Sequence, residues 1–507
     1  MKEERKELSK YLELLDSRGM SRAALIGAIC GGLACCGCTG CSSPQGAQVM
    51  PGEAGISGAD AHGDPPPPTN AGAAIGPLRI DPVNPRYFTA GAGAVYLTGS
   101  HTWGNFKDRA HVDPPPEFDY TGFLDFLLAH RHNFFRLWTW EQPHSFDDDP
   151  KNLLFFAQFA WKRIGPGNAS DGKPKFDLDE FDPTYFERMH TRIAAARDRG
   201  IYVSVMLFNG WDLTNANNPT SGGYPLAAGN NINGLSASNT DGVSLSNAAV
   251  TARQEAYVRA VVDAVNDLDN VIFEIANETD GSPAAVAWQK HMIDVVRAEE
   301  AGKPKKHMVG MTSGYPGSDS DLFASSADWI SPSRKLVAGD GRKVILNDTD
   351  HSYGWLPLLS DGLAAQRAWV WETMCIGAQP LFMDPYLETW AGRNAPSGGK
   401  PDPQWETIRN SLGYTNAYAS RLDLEKAVPS PSLSSTGYAL AEPGHQYLVY
   451  QPGSGSFTVN VLAGSYHLEW FNPATGRVAG TDTVSLATET HTFTPPFSGD
   501  AVLLLLS

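Results

Sequence analysis

Between residues 94 and 386, eight short β-branched runs alternate with helical stretches, and few architectures accept that pattern. The runs are AVYLTGSHTW, HNFFRLWTWEQ, IYVSVMLFNGW, NVIFEIANE, HMVGMTSG, DWISPS, KVILNDTDH and PLFMDPY. Amphipathic segments such as YTGFLDFLLAHR, PTYFERMHTRIAAARDRG and ARQEAYVRAVVDAVNDL fall between them. Eight βα units predict an α/β fold, a (β/α)8 TIM barrel over residues 78–425. A doubly wound sheet is the alternative, but no Gly-rich phosphate loop follows the first run. After a helix around PQWETIRNSLGYTNAYASRLDL the texture changes at KAVPSPSLSS. Residues 426–507 then read as short alternating strands, a small antiparallel β-sandwich.

The N-terminal part has a different character. Five of the six cysteines lie between Cys30 and Cys41, in SRAALIGAICGGLACCGCTGCSS, which leaves no disulfide framework for the folded part. Basic residues, a short apolar run and small residues make 1–41 an expected export signal. TGCSS around Cys41 resembles a bacterial lipoprotein cleavage site, so a lipid anchor is the one expected membrane attachment. The localisation expected is extracellular, periplasmic or on the outer surface. Residues 42–77, with DPPPPTN, read as a disordered Gly/Ala/Pro tether. A net charge of −17 argues against nucleic acid as a partner. The chain gives no basis for an oligomeric state.

In a barrel of this kind the C-terminal strand ends ring the active site. The first run delivers His101 and Trp103, and the second Arg136, Trp138, Trp140 and Glu141. Asn209 and Trp211 end the third, and Asn277 and Glu278 the fourth. Asp348, Asp350 and His351 end the seventh, and Asp384 and Tyr386 the eighth. Carboxylates, amides and aromatic rings at one mouth suit a carbohydrate substrate, and two facing acids suit cleavage of a glycosidic bond. No cofactor motif and no paired-His metal motif accompany them.

These features resemble glycoside hydrolase clan A, the cellulase-like barrels, whose hallmarks are Asn-Glu ending the fourth strand and a carboxylate ending the seventh. More narrowly, YLTGSHTW, GPGNASDGKPKFDL and NDTDH, followed by YHLEWFNPATG, look like apiosidase-related barrels that carry a C-terminal domain of collagen-binding type. The resemblance implies Glu278 as general acid/base, Asn277 on a sugar hydroxyl, and Arg136 beside the second carboxylate. Glu278 and Asp348 stand 70 residues apart, three βα units.

The departure is on the seventh strand, where relatives place Glu and this chain has Asp348 and Asp350. Either can be the second carboxylate. Asp is shorter by roughly 1.5 Å, which bears on a retaining geometry of about 5–5.5 Å against an inverting one of about 6.5–9.5 Å. Retention is the favoured expectation. Glu141 is a further candidate carboxylate or a partner for Arg136. His101 and His351 are expected to orient the carboxylates or bind hydroxyls, Trp103, Trp140 and Trp211 to form sugar platforms or pack the barrel, Asn209 to bind substrate, and Asp384 to bind substrate or fix a turn before Pro385. Asn230, Asn231 and Asn233 line the cleft or make turns. The competing functions are a non-catalytic glycan- or collagen-binding protein, and a metal-dependent hydrolase using His101, Asp348, Asp350 and His351.

Overall fold

The computed structural model describes residues 72–146, 153–214, 223–314, 317–332, 336–352, 362–387 and 398–507. The expected export signal and most of the expected tether lie outside these residues. Eight strands form the barrel: β1 (Gly99–His101), β2 (Phe134–Trp138), β3 (Tyr202–Asn209), β4 (Val271–Asn277), β5 (Val309–Thr312), β6 (Trp329–Ser331), β7 (Val344–Asp348) and β8 (Gln379–Met383). They pair in parallel, in the order β1-β8-β7-β6-β5-β4-β3-β2. The gap between β1 and β2 is bridged by Asn133. Its backbone N–H donates to the Thr98 carbonyl at 3.1 Å, and its side-chain oxygen accepts the Thr98 N–H at 2.9 Å.

The helices start where the sequence supplies caps. Asp182 caps Pro183–Arg197 by accepting the Thr184 N–H, Asn247 caps Ala248–Val265, and Ser282 caps Pro283–Glu300. Inward positions recur every second residue along a strand. The lower inward layer is apolar: Phe134, Tyr202, Ile272, Trp329, Val344, Leu346 and Leu381 form one buried cluster. A Cβ at Gly310 of β5 would sit 2.0 Å from the Trp329 indole, so the missing side chain makes room for that ring. Among the described residues no helix is long and apolar enough to cross a membrane.

Two expectations about boundaries are corrected. The first run is split: Ala94–Val95 belongs to a three-stranded antiparallel sheet with Arg79–Ile80 and Phe88–Thr89, and only Gly99–His101 enters the barrel. Leu78 and Phe88 join the lower barrel cluster and close that end. Folded structure also starts before residue 78. The Ala74 N–H donates to the Arg197 carbonyl at 2.8 Å, and the Tyr202 hydroxyl to the Ile75 carbonyl at 2.7 Å.

An insertion between β2 and the next helix was not legible in the sequence. It contains a hairpin, Trp161–Asn168 with Pro174–Phe181, and the strands His144–Phe146 and Leu153–Ala157, which form a sheet with Asp108–Ala110 from the segment between β1 and β2. The C-terminal region is antiparallel, as expected. Six strands (Val428–Pro429, Ala439–Glu442, Gln446–Gln451, Ala501–Leu506, Gly464–Asn472 and Arg477–Leu486) form one sheet, and Phe457–Val461 pairs with Glu489–Phe493 in a second. The first sheet packs Leu448, Tyr450, Phe471, Val502 and Leu504 against Trp371, Met374, Tyr418 and Leu422 of the barrel side.

Candidate active site

One step above the apolar layer, the inward positions turn polar. Arg136 follows Phe134 by two residues, Ser204 follows Tyr202, Glu274 follows Ile272, and Asp348 follows Leu346. Every one of these four side chains is buried. Arg136 sits at their centre. Its Nε donates to Glu274 Oε2 at 2.6 Å, and its Nη1 donates to Asp348 Oδ2. Ser204 Oγ adds a 3.2 Å bond to Glu274 Oε2, and Thr312 of β5 donates to Glu274 Oε1. Burial disfavours the guanidinium charge, but Glu274, Asp348 and Asp350 outweigh it and push the Arg136 pKa up. The arginine therefore stays cationic and holds two carboxylates in a dry interior.

His101, ending β1, completes this layer. The Trp138 indole N–H donates to its Nδ1 at 2.8 Å, and the rings stack with centroids 5.8 Å apart. Burial holds its pKa below the usual value, against the pull of Asp348. A neutral imidazole that accepts at Nδ1 carries its proton on Nε2. That nitrogen lies 3.0 Å from Asp348 Oδ2. Oδ1 of Asp348 accepts the Asp350 backbone N–H at 2.9 Å. Asp348 is thus fixed through both oxygens, with no exposed side-chain surface.

Glu274 is the inward carboxylate of β4, and Glu278 follows one residue past the end of that strand. Glu278 is half-buried and takes φ +32°, a left-handed backbone rare for a non-glycine residue. Trp140 is strained similarly, at φ +55°. Such conformations persist where surrounding structure over-determines them and cluster at functional sites. Asn277 is buried beside Asn209 in the β4–β3 register. Asn209 is 1 % exposed, and neither atom of its amide has a hydrogen-bond partner among the described residues. Arg136 Nη2 is likewise buried without one. Orphaned buried polar groups in one region call for a ligand or water.

The expected tryptophans divide by exposure. Trp103 and Trp211 are half-buried with ring centroids 5.6 Å apart, which leaves ring surface for a sugar. Trp140 is 2 % exposed, stacks on Phe156 at 4.8 Å and supports Trp103 from behind. It packs; it does not offer a face.

Glu141 does not pair with Arg136. Its Oε2 accepts the Asn209 N–H at 2.9 Å, while Oε1 is buried without a hydrogen-bond partner among the described residues. The carboxyl shares a small cavity of about 20 Å³ with Lys107, Tyr185, Tyr224, Gln254 and Tyr257. Burial pushes its pKa up to about 7, against the Asn209 N–H and the Lys107 charge. Lys107, buried likewise, is held well below its usual value. A carboxyl that binds its proton more tightly folded than unfolded loses the fold stability as pH rises from its ordinary 4.5 to about 7. The loss then persists. Glu141→Gln should therefore melt above wild type at pH 8, by an amount on the order of 2–3 kcal/mol. The gap should close towards pH 4.5. Melting curves across that range test the assignment, and a constant gap would refute it.

The remaining expectations fare differently. Asp350 is half-buried, just past β7. The side chain of His351 lies outside what the structure describes. Asp384 is buried with both oxygens on Arg409, at 2.7 and 2.6 Å, so it serves an ion pair and not the sugar contact expected of it. Asn230, Asn231 and Asn233 make turns: their amides bond the Tyr224 carbonyl, the Pro225 carbonyl and Asp179. Among the described residues no three His, Cys, Asp or Glu side chains group as metal ligands. Glu274, Ser204, Thr312 and Arg409 were missed as supports. The signal for Glu274 was there: a lone carboxylate in an otherwise apolar strand.

Residues 154–337 match the model of the cellulase family, glycosyl hydrolase family 5. The matched stretch includes Asn277 and Glu278 and ends before Asp348. A solved structure described as a glycoside hydrolase is 12% identical, covering 85% of this chain and 97% of its own, with a TM-score of 0.56. A glycoside hydrolase family 5 structure from Bacteroides vulgatus ATCC 8482 is 14% identical, covering 86% and 95%, with a TM-score of 0.57. Likeness at that identity establishes the fold. No curated protein matches the chain. The family match, on this barrel, supports glycoside hydrolase activity, the hydrolysis of O-glycosyl bonds.

Proposed function

We propose that the barrel cleaves a glycan by a paired-carboxylate mechanism with retention, Glu278 acting as acid/base and Asp348 as nucleophile. The observation that carries this reading is the fixation of Asp348 by Arg136 and His101 at the end of β7. The reading joins this held carboxylate, ending β7, to the strained Glu278 just past the end of β4. Asp348 attacks the anomeric carbon while Glu278 gives its proton to the departing glycosidic oxygen. The covalent glycosyl-enzyme then breaks when water attacks, losing a proton to Glu278. Arg136 keeps Asp348 anionic and aimed, with His101 Nε2 packed 3.0 Å from the same oxygen. Asn277 and the unpartnered Asn209 amide hold sugar hydroxyls, and Trp103 and Trp211 stack on the ring.

Asp348 and Asp350 are separated by paired substitutions. Asp348→Asn should lower kcat about a thousandfold or more, while Asp350→Asn should stay within about tenfold. The reverse order would move the nucleophile to Asp350. NMR of the first anomer released from a substrate of defined configuration reads the stereochemistry, and an inverted product ends the nucleophile assignment.

Export through residues 1–41, with lipidation at Cys41, belongs to the same proposal and is tested by labelling with a radioactive fatty acid. The narrower likeness to apiosidase-related barrels puts apiosides and branched plant polysaccharides first in the substrate panel.

A further inference from the structure

The end of β8 splints the two residues on which the proposed nucleophile depends. The Asp384 N–H donates to the His101 carbonyl at 2.7 Å. One residue earlier, the Met383 N–H donates to Thr349 Oγ1, next to Asp348, at 2.9 Å. In register, Leu381 faces Asp348 and Met383 faces His101. The 3.0 Å contact of His101 Nε2 with Asp348 therefore spans β1 and β7 by way of β8.

Arg409 holds that splint in place. It grips Asp384 with two donors, and neither side chain has exposed surface. A buried ion pair is seldom more stable than apolar packing of the same volume, so geometry is the more natural reason for one here. Arg409 lies on the helix Glu406–Ala419, whose far end is tied to the C-terminal sheet. The Tyr418 hydroxyl donates to Glu469 Oε1 at 2.6 Å, and Arg421 grips both Glu469 oxygens at 2.6 and 2.9 Å. The helix leading into β8, Gly362–Cys375, is held likewise, by Arg367 on Asp500 at 2.7 Å.

We infer that the Arg409–Asp384 pair is a positioning device for Asp348, and that the C-terminal sheets serve catalysis by anchoring the helix that carries it. The inference rests on the glycosidase reading above. It gives the second domain a part in the barrel's chemistry that needs no glycan contact.

The test uses the full chain and the 4-nitrophenyl glycoside, from a panel of common sugars and apiose, that wild type cleaves fastest. Asp384→Asn and Arg409→Lys should lower kcat about 10–100-fold, as a displacement near 1 Å does, with KM within about threefold. A weakened His101 contact also leaves Asp348 easier to protonate, so the acid limb of the pH–rate profile should move to higher pH. Glu469→Gln should shift both readouts in the same direction, by less.

Folded variants with wild-type kcat and an unmoved acid limb overturn the inference and leave the glycosidase reading intact. So does a kcat loss that merely tracks Tm and vanishes on cooling. If neither barrel variant folds, Glu469→Gln decides by the same two readouts. A wild-type protein that cleaves no glycoside of the panel sinks the glycosidase reading first, and this inference with it.

Discussion

Glu278→Gln is expected to fold like wild type and to lose about 10²–10⁴-fold in hydrolysis. The amide keeps the shape of the acid at a half-buried position, so the backbone that holds residue 278 at φ +32° has little reason to change. What it removes is the proton for the departing oxygen. The loss should therefore depend on the leaving group. An aryl glycoside such as a dinitrophenyl sugar departs without protonation and should form its glycosyl-enzyme almost normally. It then stalls, because no base activates water. Azide, which needs no base, should restore turnover of that substrate and yield a glycosyl azide. Parallel steady-state measurements on poor and good leaving groups, with and without azide, check this. Equal losses for both substrates, unmoved by azide, would make Glu278 a structural carboxylate.

Arg136→Met is expected to damage stability and activity together. The methionine fills similar space, but Glu274 and Asp348 are left buried without their cation. Removing one member of a buried ion pair costs about 3–5 kcal/mol, and a Tm fall on the order of 5–10 °C should follow in a unit of this size. Activity should fall further than stability explains, because Asp348 loses the charge that favours its ionised form. The network makes a second, non-additive prediction. Glu274→Gln in the Arg136→Met background removes one stranded charge and should recover much of the Tm while leaving activity low. A double variant as unstable as the sum of its parts would refute the shared-cation account. Thermal melts of the four proteins in the cycle decide it.

The comparison between sequence and structure is clearest at particular residues. Seven of the eight barrel strands fall within the marked runs and β8 starts one residue before its run, at Gln379, since alternation of strand and helix is written locally at each element. The insertion of residues 144–181 escaped because its strands, such as Trp161–Asn168 with its two glycines and proline, follow neither period cleanly. Asp384 was mistaken for a sugar contact because its partner Arg409 lies 25 residues away on a different element. For Trp140 the sequence left platform and packing both open, because nothing local distinguishes a ring that packs from one that faces solvent. Glu141 was offered as a partner for Arg136 and does not pair with it, because it lies in a cavity assembled from Lys107, Tyr185, Tyr224 and Tyr257.

By itself, then, the chain's order of residues determined the alternation of elements, the place where antiparallel texture begins, and the set of polar groups at the strand ends. Those depend on periods and caps a few residues long. Closure of the barrel decided which carboxylates meet Arg136, which tryptophan keeps a face, and how the C-terminal sheet reaches β8. Each of those facts needs groups that approach only once the sheet has curled, because hydrogen bonds and buried charges act over a few ångströms of space, at any distance along the chain.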